Sequence, residues 1–409
     1  MKSHLEKFRQ GPSHGLRMSR RASSKVRSHN GTTFQHNTPV ITSPPPSVCR
    51  PRSGDSTWIR DAVFEIRADS HRSADTHLFR VNMPAFQRHG VDFYLKDESS
   101  HPTGSLKHRL ARSLFMYGLV SNMIHEDTEL FEASSGSTAV SEAYFARMLG
   151  LQFTAVMSKT VSEEKIRAIQ FYGGKCHLVE SASMASSEAE RLASECGGYF
   201  FNQFRNAEKA TDWRGNNNIA ETIFTQMEKE RSSEPAWIVV SAGTGGTSAT
   251  IGRYLRYQNA STKLCVADPE NSVFYNAWCT GDRTLTLKSG SLVEGIGRPR
   301  VEESFLPQLV DEMYKVPDVC TFAMMRKINS LLGRKVGGST GTNCFAALQI
   351  MCNMVAKGER GSVVSLICDS GERYAHTYYC DDWMAAKGFN LDPHSERIDK
   401  IVNSARWYS

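Results

Sequence analysis

The sequence lacks the long apolar run and the paired cysteines that would place it in several large functional classes. No apolar run among the 409 residues reaches membrane-spanning length, so we expect no membrane partner. The ten cysteines are scattered, without a Cys-x-x-Cys pair or a cysteine–histidine cluster at zinc spacing. Several lie in apolar runs, as reduced core cysteines of an intracellular protein do. We therefore expect neither a metal site nor a disulfide framework.

Acidic residues are almost absent from residues 1–54, which hold ten Lys or Arg and a single acid, Glu6. The remainder has 39 basic and 42 acidic residues, a net of −3, so the positive formal charge of the whole chain, +6, comes from this segment. A nucleic-acid-binding body would itself be basic, and we expect no nucleic-acid partner.

The same segment is rich in Ser, Arg, His and Pro and cannot bury a core, so we interpret it as a disordered basic tail. A mitochondrial presequence is one alternative, because such peptides are also Arg-rich and acid-poor. A contact of the tail with a membrane surface or a nucleic acid, outside the body, is another. No apolar secretory segment follows the start, and we expect a cytoplasmic protein.

From Trp58 onward, strand-like and helix-like runs alternate, which predicts an α/β protein with mostly parallel sheets flanked by helices. The length suggests about two domains. The predicted strands are 91–96, 129–133, 153–157, 176–179, 236–241, 263–267 and 362–368. The predicted helices are 105–117, 138–149, 162–172, 186–195, 219–230, 248–257 and 342–356.

Ligands of parallel sheets bind where strand ends and helix starts converge, and the first informative turn of this kind carries Lys107. The lysine stands just inside a predicted helix, behind a Gly-Ser turn. In a dry site its amine would be easier to deprotonate, as a Schiff-base lysine requires. Taken alone, an ordinary surface charge is the simpler interpretation.

A second turn offers small hydroxyl residues and glycine at a helix start, which suits a carboxylate. It consists of Ser134, Ser135, Gly136, Ser137 and Thr138. An ordinary serine N-cap is the alternative.

A third turn combines three glycines with two threonines, which favours the binding of one phosphate monoester. It consists of Gly243, Thr244, Gly245, Gly246 and Thr247. It is neither a P-loop nor a dinucleotide fingerprint, since both consensus patterns are missing. The fourth turn, 337–342, presents hydroxyls such as that of Ser339 and is either a helix cap or part of the same cleft.

A lysine, a turn that suits a carboxylate and a turn that suits one phosphate together are typical of pyridoxal phosphate (PLP) chemistry. On these residues the sequence resembles the fold-type II PLP-dependent enzymes, close to cysteine synthase and cystathionine β-synthase. The resemblance covers roughly residues 56–390. Its motifs, in the family's order, are Lys96-Asp97-Glu98 with Pro102 to Lys107, Gly243 to Thr247, Asp268-Pro269-Glu270, Glu294 to Gly297, Gly338-Ser339 and Cys368 to Tyr374.

The resemblance implies a two-domain, tryptophan synthase β-like fold and a homodimer. Residues 55–205 would carry the Schiff-base lysine and the carboxylate loop, and residues 206–390 the phosphate loop, with the first strands crossing between domains. Residues 391–409 would form a C-terminal tail. In this family Lys107 holds the cofactor, the loop at 243–247 and Ser137 contact it, and Ser339 faces its pyridine nitrogen.

The amino-acid sequence at 132–138 and 211–215 is most similar to that of the L-cysteine desulfhydrase branch. That branch implies β-elimination on L-cysteine, through an aminoacrylate, to sulfide, ammonia and pyruvate. Ser137 stands where cysteine synthases usually have an asparagine that contacts the phenolic oxygen of the cofactor. The alternatives are β-replacement in sulfur amino-acid metabolism and a non-catalytic sensor that keeps the PLP fold.

Overall fold

The computed structural model describes residues 55–72 and 75–408, whose strands form two separate sheets. The larger sheet has six strands in the order β1-β2-β10-β7-β8-β9, and the smaller has four in the order β5-β4-β3-β6. The strands are β1 Leu78–Val81, β2 Val91–Asp97, β3 Leu130–Ala133, β4 Phe153–Ser158, β5 Lys175–Val179, β6 Tyr199–Phe200, β7 Trp237–Ser241, β8 Lys263–Pro269, β9 Glu312–Val316 and β10 Gly361–Ile367.

Every strand pair is parallel except β1 with β2, and helices connect the strands. The helices are α1 Asp55–Arg72, α2 Pro84–Gln87, α3 Lys107–Val120, α4 Ser137–Leu149, α5 Glu163–Phe171, α6 Ala185–Cys196, α7 Gln203–Ala210, α8 Ile219–Met227, α9 Gly246–Tyr257, α10 Phe274–Thr280, α11 Asp318–Leu332, α12 Gly338–Lys357, α13 Asp381–Ala386 and α14 Asp392–Ser404. The predicted α/β class with mostly parallel sheets is confirmed.

The apolar runs of the sequence became the buried centre of the larger sheet. All residues of β2 are buried, and β10 is buried from Ser362 to Ile367. Strands that are covered on both faces need apolar side chains on both faces, and this is why continuous runs predict them. Each of the seven predicted strands and seven predicted helices overlaps an observed one.

Several elements carry no such run and escape sequence analysis. Strand β9 reads Glu-Met-Tyr-Lys-Val and is the outer strand of its sheet, so only part of it is buried. Helix α7 is short and strongly polar. Along the chain it comes after the strands of the smaller sheet and before β7 of the larger sheet. The domain boundary predicted at residue 205 falls inside α7, and the division into two domains stays a prediction.

The chain visits the larger sheet twice. Strands β1 and β2 belong to it, the next four strands build the smaller sheet, and β7 to β10 complete the larger one. Strand β2 lies between β1 and β10, so the first strands lie within the sheet of the C-terminal half. The predicted disorder of residues 1–54, and the presequence alternative, lie outside the described residues. In the described part of the chain, no helix combines the length and the apolar character that crossing a membrane requires.

The segment 391–409, expected to be a C-terminal tail, contains helix α14 and is part of the core. Ile398, Ile401 and Val402 are buried in the same apolar cluster as β2 and β10. The helix packs on α11, where Lys327 and Asp399 form an ion pair of 2.7 Å. The tail interpretation is wrong because the three apolar residues are spaced for one face of a helix, among many polar residues.

Replacing Ile401 with alanine should therefore destabilise the whole protein, since a cavity would be left in the main core. We expect a loss of about 2–5 kcal/mol in the free energy of unfolding, measured by urea denaturation. The control is Val120→Ala at the end of α3, where the side chain is 66% exposed and the loss should stay below about 0.5 kcal/mol. Equal effects of the two substitutions would contradict the burial of α14.

Candidate active site

Four helix starts converge on one region, and none of them has a side-chain cap. The helices α3, α4, α9 and α12 begin behind the N-cap residues Leu106, Gly136, Gly245 and Gly337, with no capping hydrogen bond from a side chain. Several other helices also lack such a cap, whereas α7 and α8 are capped by Asn202 and Asn218. The first amides of a helix lack partners within the helix, so the four starts can bind an anion, although the N–H groups of Lys107 and Gly246 already donate to the hydroxyls of Ser105 and Thr244.

The turn of Lys107 is attached to the carboxyl end of β10, the neighbour of β2. The backbone N–H of Leu106 donates to the carbonyl of Cys368 at 2.8 Å, and Ser105 pairs with Asp369 in an isolated bridge. Lys107 itself is half-buried at the first position of α3. Because β7 is the next neighbour of β10, the phosphate loop that follows β7 opens at the same edge of the sheet.

A buried ion network fixes this turn. Arg109 donates to both oxygens of Glu98, at 2.6 and 2.9 Å, and to Asp75 at 3.1 Å. Asp75 also pairs with the fully buried Lys96 at 3.1 Å. Since Arg109 is two residues beyond Lys107, the network holds the start of α3 in place.

Ser339 is buried at the start of α12, beside Cys368. The Cys368 thiol accepts a hydrogen bond from the Asn343 amide at 3.6 Å. Burial raises the pKa of Cys368 to about 11, and both the Ser339 hydroxyl and the charge of Lys107 lower the pKa of that thiol and so oppose the rise. Lys107 and Ser339 were predicted from separate motifs, and both act on Cys368. Cys368 was missed as a site residue, although it begins the motif at 368–374.

The phosphate loop is a cradle of backbone that only glycine can build. A Cβ on Gly243 would lie 2.2 Å from the carbonyl oxygen of Gly295. Gly245 has φ +92, and a Cβ there would lie 2.4 Å from Cα of Phe305. Thr244 accepts a hydrogen bond from the N–H of Gly246 at 3.2 Å, and Thr247 follows in the first turn of α9. The loop is therefore shaped by its neighbours to present amides at a helix start.

The turn at 134–138 also lies at a helix start, but a serine does not cap it. Gly136 is the N-cap, and its N–H donates to the Ser134 hydroxyl at 3.3 Å. Ser135 is half-buried in the same turn. The Thr138 hydroxyl is buried and donates to Oε1 of Gln203 at 2.8 Å. Ser137 accepts a hydrogen bond from Arg373 at 2.5 Å.

Gln203 and Arg373 contact this turn from elsewhere in the chain, and sequence analysis identified neither of them as a site residue. Gln203 begins α7, which is only eight residues long and mostly polar, so it was not among the predicted helices. Arg373 lies within the quoted motif 368–374, but nothing in the sequence indicates that it reaches the turn before α4. Both contacts join segments far apart in the chain, so only the folded structure shows them.

These residues fit the cofactor that their motifs imply. The half-buried amine of Lys107 can form a Schiff base, and the glycine cradle at the start of α9 can hold a phosphate dianion. The buried hydroxyl of Ser339 is the neutral group that a pyridine nitrogen would meet. A model of the family described as pyridoxal-phosphate dependent enzymes matches residues 72–369. The chain belongs to this family.

This PLP-dependent enzyme has relatives among cysteine-metabolising proteins. It is 54% identical over 358 residues to the L-cysteine desulfhydrase Cds1 of Mycobacterium tuberculosis, covering 87% of this chain and 97% of that protein. It is 26% identical over 316 residues to the cysteine synthase of Dictyostelium discoideum, covering 74% and 81% of the two chains. The predicted PLP cofactor and enzymatic class are confirmed by the family match and the first of these relatives.

Two solved structures show the same fold as the PLP-dependent enzyme. The crystal structure of O-ureido-L-serine synthase aligns with a TM-score of 0.65 and 24% identity, over 79% of this chain and 98% of that one. A hydrogen sulfide-producing enzyme (Fn1220) from Fusobacterium nucleatum aligns with a TM-score of 0.64 and 24% identity, over 76% and 97%. The fold-type II assignment is confirmed, and the particular site residues stay predictions.

Two fully buried carboxyls lie beneath the turn at 134–138 in this enzyme. Glu132 is the penultimate residue of β3 and accepts hydrogen bonds from the N–H groups of Ala133 and Gln203 at 2.8 and 3.1 Å. Burial raises the pKa of Glu132 to about 7. Burial, and next the charge of Glu132, raise the pKa of Glu142 on α4 well above its usual value. Both carboxyls therefore favour their protonated forms more than an exposed glutamate does.

Replacing Glu142 with glutamine should reduce the pH dependence of stability. A carboxyl whose folded pKa is raised contributes stability below its unfolded pKa, near 4.5, and loses it as the pH rises through the folded pKa. The glutamine amide can donate permanently to Glu132. We expect the variant to be more stable than wild type at pH 8, by about 1–3 kcal/mol, but not at pH 5.

The measurement is urea denaturation at both pH values, with Glu126→Gln as the control because Glu126 is exposed. A Glu142→Gln variant that follows the wild-type pH profile would show that Glu142 does not titrate with a raised pKa in the folded protein.

Proposed function

We propose that this enzyme splits L-cysteine into sulfide, ammonia and pyruvate by PLP-dependent β-elimination. The 54% identity to an L-cysteine desulfhydrase, over 97% of that protein, carries the proposal. The site supports it, since the glycine cradle, Lys107 and Ser339 converge at one edge of the larger sheet. Its substrate is a small amino acid, as expected for a PLP-dependent enzyme of this family.

Lys107 has two tasks in this proposal. Its amine binds the cofactor covalently, and once free it accepts the proton from Cα of the substrate. When bound, PLP supplies an electron-withdrawing ring that stabilises negative charge at Cα. The Cα–H electron pair moves toward Cβ, and the thiolate leaves. Lys107 stands at the first position of α3, where the ion network of Arg109 and Glu98 keeps its backbone in position.

The other residues bind and orient. The amides at the start of α9 hold the phosphate, which aligns the Cα–H bond for removal of its proton. The hydroxyl of Ser339 is neutral, so it does not keep a pyridine nitrogen protonated as a carboxylate would. A ring without that proton is a weaker electron sink, which favours prompt loss of the Cβ substituent over long-lived carbanions. The turn at 134–138 binds the substrate carboxylate through its amides and hydroxyls.

β-Replacement, as in a cysteine synthase, is the second candidate. The 26% identity to the cysteine synthase of Dictyostelium discoideum favours it. A non-catalytic sensor is a weaker alternative, because such a protein has no need to keep Lys107, the glycine cradle and Ser339 together. The homodimer and the cytoplasmic location stay predictions.

Replacing Lys107 with alanine should abolish turnover and the Schiff-base absorbance near ~420 nm of the PLP-loaded protein. The physical reason is that alanine has no amine with which to bind the cofactor covalently at the start of α3. Absorbance and sulfide release are measured on the purified protein. The control is Lys159→Ala, an exposed lysine paired with Glu180, which should behave as wild type. A Lys107→Ala variant that keeps the absorbance would refute the role of Lys107.

L-Cysteine as the sole substrate separates the two candidate reactions. Elimination should release sulfide and pyruvate in equal amounts, because both products come from the same molecule. Sulfide is measured colorimetrically and pyruvate by a coupled dehydrogenase. If sulfide appears only when homocysteine or another second substrate is added, and pyruvate stays absent, replacement is the reaction.

A further inference from the structure

Arg373 brings a positive charge from the larger sheet to the turn at 134–138. It lies in the single helical turn Gly371–Tyr374, which follows β10, whereas Ser137 begins α4 after a strand of the smaller sheet. Its Nη1 donates to the Ser137 hydroxyl at 2.5 Å. The guanidinium therefore reaches the turn in which the proposed function places the substrate carboxylate.

The charge of Arg373 is only partly neutralised by the protein. Its nearest carboxylate is that of Asp369, at 3.6 Å, and the same Asp369 oxygen accepts a hydrogen bond from the Tyr374 hydroxyl at 2.7 Å. The Arg373 side chain remains 36% exposed. A guanidinium has five N–H donors, more than its contacts with Ser137, Asp369 and Tyr374 use. Donors thus remain for a ligand that enters the cleft.

The net charge of this corner depends on the state of Lys107. Lys165 and Glu294 form an ion pair at 2.9 Å and compensate each other. Asp369 interacts with two cations, Lys107 and Arg373. With Lys107 as an ammonium, one positive charge is left over among these five side chains. Once Lys107 is bound to the cofactor or neutral, the count is balanced, and the unused N–H donors of Arg373 are what a carboxylate would meet.

We propose that Arg373 binds the carboxylate of the amino-acid substrate, with the Ser137 hydroxyl holding the guanidinium over the turn. The inference rests on the proposed function, which places an α-amino acid in this cleft. Guanidinium and carboxylate match as planar, doubly hydrogen-bonding partners, and such charged hydrogen bonds are about twice as strong as neutral ones. Arg373 is then a specificity-determining residue that distinguishes an amino acid from an amine without a carboxylate.

The short side chain at position 137 is part of this arrangement. A hydroxyl accepts a hydrogen bond from the guanidinium, and serine leaves space for the long arginine side chain. Ser137→Ala removes only the acceptor and should weaken carboxylate binding less than loss of the charge does. Substitution by asparagine would fill the space and displace the guanidinium.

The test compares two ligands that differ by a carboxylate, L-alanine and ethylamine, neither of which carries a thiol to eliminate. Each is titrated into the PLP-loaded enzyme, and its dissociation constant is obtained from the change in absorbance. Arg373→Gln should raise the dissociation constant of L-alanine about 10- to 100-fold and leave that of ethylamine within about twofold. Arg373→Lys should recover part of the loss, because it keeps the charge but not the planar fork.

The matched control is Arg167→Gln, an exposed arginine that pairs with Glu163 on α5. Equal weakening of both ligands by Arg373→Gln would overturn the inference in favour of a purely structural latch. An unchanged L-alanine constant would overturn it as well. A wild type that prefers L-alanine through Arg373, yet releases no sulfide from L-cysteine, would refute the proposed elimination and leave this inference intact.

Discussion

The buried pair of Arg109 and Glu98 is the constraint on which the site depends. Burial by itself would raise the pKa of Glu98, and the charge of Arg109, with hydrogen bonds from His101 and Arg109, instead holds it well below its usual value. Removing either partner would leave a buried charge uncompensated, which typically costs about 3–5 kcal/mol. The pair ties the end of β2 to the first turn of α3, so the position of Lys107 is set by electrostatics in the core.

Around that fixed lysine, the site is positive by construction. Helix starts without side-chain caps meet at the carboxyl edge of the larger sheet, and Arg373 adds a charge from the turn after β10. A cofactor phosphate and an amino-acid carboxylate are both anions, so either would compensate positive charge that the protein itself does not neutralise. The neutral Ser339 and the protonated thiol of Cys368 are the exceptions, and they lie where a neutral ring nitrogen is expected.

Sequence analysis was most successful where a residue's role is imposed locally. Continuous apolar runs predicted β7 and β10, because a strand covered on both faces has no polar face. The glycine cradle was also visible, since a backbone that passes 2.2 Å from where a Cβ would stand excludes every other residue. Helix α14 was taken for a tail because its few buried apolar residues stand among polar ones, and burial of one helical face depends on what packs against it.

The sequence by itself determined the α/β class, and its resemblance to a family indicated the cofactor, because apolar runs and short motifs are local to the chain. The lysine and the phosphate loop were predicted from such short segments as well. Only the tertiary structure decided how these segments are completed. Gln203 meets Thr138 and Arg373 meets Ser137 across gaps of 65 and 236 residues. Such pairs leave no periodic signal in the chain, since the distance between two side chains depends on how separate strands and helices pack. The position of the Arg373 charge beside the turn at 134–138 is therefore a property of the fold.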